Sequence, residues 1–321
     1  MTTAGIAGFK PRERRLLLYI LGWGRSGSSV LANILGSMDQ AASLGEVRYL
    51  WERGLLKDGT CGCGAQFSAC DFWPNLAPGA TRLRDMTPAR ARSLARTIGN
   101  RARPAQLPAI LSARARSAYL RHRQPDLDLL MQTYEAAFEA SGARVLIDAS
   151  KSPFHAVNLL YEKRDFDVAF LHLVRDPRGV MHSWKKIKLR EDTSDRKFFP
   201  RYSSMRSFLQ WTFSNAQCEK FARFAPQDYY LVRYEDLAED WHAALLSGAG
   251  PLFDTVPEVC GDRRTAMVRA QHSITGNPSR FNLGEITLSP DVAWRGNLTR
   301  LDQTLARLIC RSVAARHGYA M

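Results

Sequence analysis

Leu16-Leu17-Leu18-Tyr19-Ile20-Leu21, followed by Gly22-Trp23-Gly24-Arg25-Ser26-Gly27-Ser28-Ser29, decides the fold of this 321-residue chain. The first six residues form an unbroken apolar run, which reads as a strand buried on both faces. Past the turn, Val30, Leu31, Ile34, Leu35 and Met38 recur at helical spacing. A strand, a Gly/Ser turn and a helix start make an anion cradle. Glycines let successive N–H groups converge, the helix terminus adds partial positive charge, and Ser26, Ser28 and Ser29 add hydroxyl donors. A phosphate or sulfate group suits it. The alternative is an ordinary strand-to-helix turn whose glycines serve chain geometry alone.

The turn comes close to the phosphate-binding loop of nucleoside triphosphatases, G-x-x-x-x-G-K-[ST]. Gly22 and Gly27 have the required spacing and Ser29 stands at the Ser/Thr position. Ser28, however, occupies the lysine position, and the cation lies inside the loop as Arg25.

A second block completes the pattern. Leu171-His172-Leu173-Val174-Arg175-Asp176-Pro177 runs on through Ser183, so that a strand ends in an arginine and a helix follows. Together, Gly24-Arg25-Ser26-Gly27-Ser28-Ser29 and Arg175…Ser183 resemble sulfotransferases that use 3′-phosphoadenosine-5′-phosphosulfate (PAPS), of bacterial type. The resemblance implies that Gly24 through Ser29 hold the 5′-phosphosulfate and that Arg175 and Ser183 hold the 3′-phosphate. Three further segments are similar to the family. Gly45-Glu46-Val47-Arg48 resembles the setting in the tyrosylprotein and carbohydrate branches where a glutamate takes the acceptor's proton. There two residues separate Glu from Arg; here Val47 alone does. Lys151 stands in an x-Lys-x-Pro context that implies a cation at the sulfuryl group. With Arg25, it would offset charge on the leaving group. Arg233-Tyr234-Glu235-Asp236-Leu237 resembles the fifth-strand segment whose tyrosine approaches the cofactor. Gly276-Asn277-Pro278-Ser279-Arg280 resembles a loop folded over the 3′-phosphate, which would bring Gly276, Asn277 and Arg280 to it. Asp291-x-x-Trp294 and a closing helix over 299–316 fit the same pattern.

The expected fold is an α/β, P-loop-like three-layer sandwich around a parallel sheet of about five strands, with a helical insertion. It forms a single domain over 1–321, with an N-terminal arm at 1–15 and an Arg-rich helical insertion at 82–140. Further strands are expected at Val145–Ile147, Val168–Val174 and Tyr229–Val232. Residues 52–80, rich in Gly, Pro and Cys, read as loop. Leu127, Leu130, Tyr134 and Phe138 form an apolar stripe on one insertion helix, and Met205, Phe208, Leu209, Thr212 and Ala216 mark another long helix. Asp176 reads as the N-cap of a helix opened by Pro177, His172 as a core histidine, and Glu235 and Asp236 as caps of the next helix. Asp148, ending an apolar run, also resembles a magnesium-binding acid of the triphosphatases.

Net charge is +14, and Arg82–Arg123 carries most of it: eleven Arg against the single acid Asp85, or +10. Nucleic-acid binding would need aromatic interleaving, and the run offers only Tyr119. Solvated helix faces are the default, and attraction of an acidic acceptor or partner is the sharper alternative. No apolar run approaches the roughly 18–20 residues of a membrane span, and Met1–Arg15 has no apolar core of a secretory signal. A cytoplasmic enzyme is the expectation. Cys61-Gly62-Cys63-Gly64 and Cys70 form a cluster without the C-x₂-C spacing of common zinc sites or a visible fourth ligand. It reads as a structural loop with reduced thiols and no metal, a local disulfide or a metal site being the alternatives. The expected reaction is metal-independent sulfuryl transfer from PAPS to a hydroxyl-bearing or amine-bearing acceptor, with Glu46 as base. The rivals are a magnesium-dependent P-loop kinase or NTPase, and a non-catalytic binder of nucleic acid or an acidic partner. The acceptor has no motif of its own.

Overall fold

The computed structural model describes residues 5–187, 198, 200–256 and 262–321. Along the chain run β1 (Gly5–Phe9), β2 (Arg15–Gly22), α1 (Ser28–Gly36) and β3 (Ala41–Gly45). Four helices follow a stretch of short turns: α2 (Pro88–Thr97), α3 (Arg103–Leu111), α4 (Ala113–His122) and α5 (Gln124–Ser141). Alternation then resumes with β4 (Val145–Lys151), α6 (Pro153–Ala156), β5 (Phe166–Val174), α7 (Pro177–Lys185), α8 (Ser204–Ala222) and β6 (Tyr229–Arg233). The C-terminal part holds α9 (Tyr234–Glu239), α10 (Trp241–Ala249), β7 (Phe253–Val256), β8 (Thr265–Val268), β9 (Gly284–Thr287) and α11 (Arg300–Arg316).

Five strands form one parallel sheet in the order β3-β4-β2-β5-β6. The apolar run is its centre: β2 pairs with β4 along one edge and β5 along the other. Because side chains alternate along a strand, β2 feeds two cores. Leu17, Tyr19 and Leu21 pack with Leu127, Leu130, Tyr134 and Phe138 of α5, and with Trp51 and Trp73. Leu16, Leu18 and Ile20 pack on the other face against Leu31, Ile34 and Leu35 of α1 and Leu245 and Ala249 of α10. The α5 stripe is therefore a core seam. Both faces being covered, water is excluded from the parallel sheet, as its unbroken apolar pattern requires.

Within the segment read as an N-terminal arm, β1 pairs antiparallel with β7, matching Ile6 to Thr255. The buried face of α8 is rotated from the expected stripe: Phe208, Trp211, Cys218 and Phe221 are buried, while Met205 and Leu209 are 46% and 52% exposed. The physical reason is that α8 packs between α7 and α11, whose Val180, Met181, Cys310 and Val313 meet Phe208 and Trp211. Asp176 caps α7 by accepting from the Arg178 N–H, as expected. Glu235 does not cap its own helix; its carboxylate accepts from the Asp176 N–H at 3.0 Å and the Tyr319 hydroxyl at 2.6 Å, tying α9 to α7 and the C-terminus. His172 is buried between Asn215 and the Tyr229 hydroxyl, and burial lowers its pKa to about 3, which fits a neutral core residue. Among the described residues no helix is long and apolar enough to cross a membrane.

Candidate active site

The parallel strands bring their C-terminal ends to one edge, where open α/β sheets place ligands. A cavity of about 770 Å³ opens there. Its floor is the turn between β2 and α1. Arg25 has φ +70 and Gly27 has φ +90, so the turn passes twice through the left-handed region. At Gly27 a Cβ would also lie 2.5 Å from the Tyr234 ring. Gly27→Ala is therefore expected to cost about 1–3 kcal/mol in backbone strain and displaced ring. Chemical denaturation of the variant measures that loss directly.

Gly27 is the N-cap of α1, and no side chain caps the helix. The first-turn N–H groups thus remain available to an anion at the cavity floor. Gly24, Arg25, Gly27, Ser28 and Ser29 line the cavity. Ser26 is buried beneath it and contributes no lining. The Arg25 guanidinium lies 5.0 Å from the centre of the Trp184 ring, within cation–π range.

Glu46 follows β3 directly and Lys151 is the last residue of β4, so neighbouring strands deliver them together. Their side chains meet at 2.8 Å, and Arg48 lies 3.5 Å from the other carboxylate oxygen. Lys151 also donates to the Ala149 carbonyl and has φ +65, a backbone state that L residues avoid. Burial disfavours charge on Glu46, but Lys151 and then Arg48 outweigh it and hold the carboxyl below its ordinary pKa. Glu46 is therefore a buried carboxylate facing the cavity beside two cations.

At the opposite end, Arg175 directly follows β5 and Ser183 lies on the second turn of α7; both line the cavity. Arg175 donates to the Arg25 carbonyl at 2.9 Å, ion-pairs with Asp291, and lies 4.3 Å from the Tyr234 ring centre. Its guanidinium is thus positioned from three sides. Trp294 packs over Arg178, so the Asp291–Trp294 segment closes on the start of α7. Gly276 and Asn277 reach the cavity on α1: the Asn277 N–H donates to the Ser29 hydroxyl at 3.1 Å. Arg280 does not reach it. Its side chain is 3% exposed and donates to the Ser273 and Thr60 carbonyls, so it braces the loop from behind. An Arg three residues past Asn277 sits on a 3-10 turn that faces it inward.

Asp148 is likewise turned away. Its carboxylate accepts from the Tyr134 hydroxyl at 2.6 Å and from the Ser150 N–H at 2.8 Å, and burial raises its pKa to about 6. It anchors β4 to α5 and presents no oxygen to a metal at the turn.

Sequence reading missed several lining residues: Tyr49, Arg53, Phe154, Trp184, Tyr202 and Phe213, with Asn100, Arg103 and Leu107 from the insertion; Arg48, seen only as part of the Glu46 motif, lines the cavity as well. Of the Arg82–Arg123 run, only Arg103 lines the cavity among the described residues. Arg90 pairs with Asp126, Arg101 with Glu52, and Arg116 packs over Phe224.

The sequence model of the sulfotransferase family matches residues 18–246, from the central strand through α10. The chain belongs to this family. Two solved structures align along nearly all of it. The sulfotransferase domain from the Synechococcus PCC 7002 olefin synthase is 18% identical, covers 98% of this chain and 99% of its own, and gives a TM-score of 0.47. The sulfotransferase domain from the curacin biosynthetic pathway is 17% identical, covers 97% and 100%, and gives 0.45. Among curated proteins none matches. In this chain the cavity contains six cations, Arg25, Arg48, Arg53, Arg103, Lys151 and Arg175, against the single carboxylate Glu46 among its described lining residues.

Proposed function

We propose that this sulfotransferase moves a sulfuryl group from PAPS to the hydroxyl of an acceptor, with Glu46 as general base. The observation that carries the reading is the cavity's charge: six cations less one carboxylate give +5, beside a helix N-terminus with no side-chain cap. Such a field suits a donor with anionic groups at both ends. The donor supplies an electrophilic sulfur whose bond to the bridging phosphate oxygen breaks as the acceptor oxygen bonds to it.

The turn over Gly24–Ser29 binds the 5′-phosphosulfate through N–H and hydroxyl donors, and Arg175 and Ser183 bind the 3′-phosphate from α7. Tyr234 packs beside Arg175, and Gly276 and Asn277 cover the turn. Lys151 and Arg25 stabilise the charge that grows on the bridging oxygen. Glu46 receives the acceptor's proton. In the free protein its carboxylate is held by Lys151 at 2.8 Å; as Lys151 turns to the bridging oxygen, Glu46 loses that partner and its affinity for a proton rises. The acceptor enters between the insertion, at Asn100, Arg103 and Leu107, and the Phe154–Phe213 pair stacked 6.1 Å apart.

The magnesium-dependent P-loop reading is weaker. Ser28 stands where its lysine belongs, and the carboxylate of Asp148 is spent on Tyr134 and Ser150.

Calorimetric titration without magnesium tests the proposal. Adenosine 3′,5′-bisphosphate is expected to bind at least about tenfold more tightly than 5′-AMP or ADP, since one charge-assisted phosphate contact contributes about 1.5–3 kcal/mol. Equal affinities, or a preference for ADP, would overturn it.

A further inference from the structure

The loop carrying Cys61, Cys63 and Cys70 meets a segment some two hundred residues downstream, and the meeting point is His272. The three thiols and the His272 Nδ1 or Nε2 all lie within 4.8 Å of one another. Cys61 and Cys70 sulfurs are 3.7 Å apart, and Cys63 and Cys70 sulfurs 3.8 Å. His272 Nδ1 is 3.3 Å from the Cys70 sulfur and 3.9 Å from that of Cys61. All three cysteines are free; Cys260 lies outside the described residues.

These separations have a specific meaning. With zinc–sulfur bonds of about 2.3 Å and zinc–nitrogen bonds of about 2.0–2.1 Å, a regular tetrahedron has S···S edges of about 3.8 Å and S···N edges of about 3.5 Å. The two S···S edges, 3.7 and 3.8 Å, and the two S···N edges, 3.3 and 3.9 Å, lie within about 0.4 Å of those values, and the remaining two edges are shorter than 4.8 Å. Four protein ligands leave no open coordination position, which is the mark of a structural site and not a catalytic one. From these edges we infer that Cys61, Cys63, Cys70 and His272 bind one zinc ion.

The surroundings hold the ligands in place. The Phe72 ring stacks on the His272 ring, 4.9 Å between centres, and the Trp73 indole N–H donates to the His272 carbonyl at 2.7 Å. Gly62, between two of the cysteines, donates its N–H to the Ser273 carbonyl at 2.9 Å, and a Cβ there would lie 2.2 Å from the Ser273 hydroxyl. Only glycine lets the two segments approach this closely. The expectation of reduced thiols without metal arose because the sequence shows three ligands in one stretch; the fold supplies the fourth. The ion would cross-link the 61–70 loop to the segment leading into Gly276 and Asn277, and so fix the wall that covers the β2–α1 turn.

The test is metal content, which is independent of sulfuryl transfer. Purified full-length protein in chelator-free buffer is expected to hold about one zinc per chain by elemental analysis, and Cys63→Ser, at the exposed ligand, to lose most of it. Cobalt added to the metal-stripped protein should give a sulfur-to-cobalt charge-transfer band and the visible bands of tetrahedral cobalt. Stripping the zinc should lower the thermal midpoint by roughly 10 °C, because metal binding energy is folding energy. Folded wild-type protein without stoichiometric zinc, and without a cobalt–thiolate band, would overturn the assignment. So would unchanged zinc content in both Cys63→Ser and His272→Ala.

Discussion

Glu46→Gln is expected to lower turnover by about 10²–10⁴-fold, the usual worth of a positioned general base, while adenosine 3′,5′-bisphosphate affinity stays nearly unchanged. The amide keeps the shape of the side chain and loses both the charge and the ability to take a proton. Its neighbours matter as much as its position. Lys151 at 2.8 Å and Arg48 at 3.5 Å depress the carboxyl's pKa despite burial. Two pH consequences follow. Since the folded-state pKa lies below the unfolded one, Glu46 contributes stability above the ordinary carboxylate pKa and loses it as pH falls through the depressed value. The acid limb of kcat/KM, which reports the free enzyme, should accordingly lie below the ordinary carboxylate range. The limb of kcat should lie higher, because Lys151 has then turned toward the donor. Glu46→Gln leaves two buried cations without their counter-charge, so its melting temperature must be measured beside its rate. Full turnover in a folded Glu46→Gln variant would remove Glu46 as the base.

Arg175→Ala is expected to weaken adenosine 3′,5′-bisphosphate by about 1.5–3 kcal/mol, or roughly 10–150-fold. Binding of 5′-AMP, which has no 3′-phosphate, should scarcely change. The guanidinium is fixed by the Arg25 carbonyl, the Asp291 carboxylate and the Tyr234 face, so little conformational freedom remains to be lost on binding. Removing it also leaves Asp291 as an unneutralised anion where the phosphate should bind, which pushes the loss toward the upper end. Adding Asp291→Ala to Arg175→Ala should then recover part of the affinity. The double-mutant comparison separates direct contact from repulsion. Equal affinity in Arg175→Ala and wild type would break the 3′-phosphate assignment.

Much of this architecture is legible in short stretches. The run Leu16–Leu21 reads as a strand covered on both faces, and the Gly/Ser turn after it as the start of a helix. The α5 stripe and the Asp176-Pro177 cap were equally local, since periodicity and capping depend on residues a few positions apart. Glu46 and Lys151 were legible as strand-end residues, but their 2.8 Å contact depends on β3 and β4 being neighbours.

Other features depended on distant parts of the chain. Arg280 reads like a ligand residue in its motif, yet the packing of its loop against Thr60 and Ser273 turns it inward. Asp148 reads like a metal acid, and the Tyr134 hydroxyl on a separate helix claims it. The buried face of α8 was set by α7 and α11. The insertion gave no motif, yet it places Asn100, Arg103 and Leu107 in the cavity wall. Three cysteines were visible in one loop, while the histidine that completes their tetrahedron lies about two hundred residues on. Sequence determined the central strand, the Gly/Ser turn and helix start after it, and the α5 stripe, because hydrogen bonding and apolar periodicity are short-range. Tertiary structure alone decided which charged and metal-binding side chains meet, because burial and electrostatics act between groups that only the completed fold brings together.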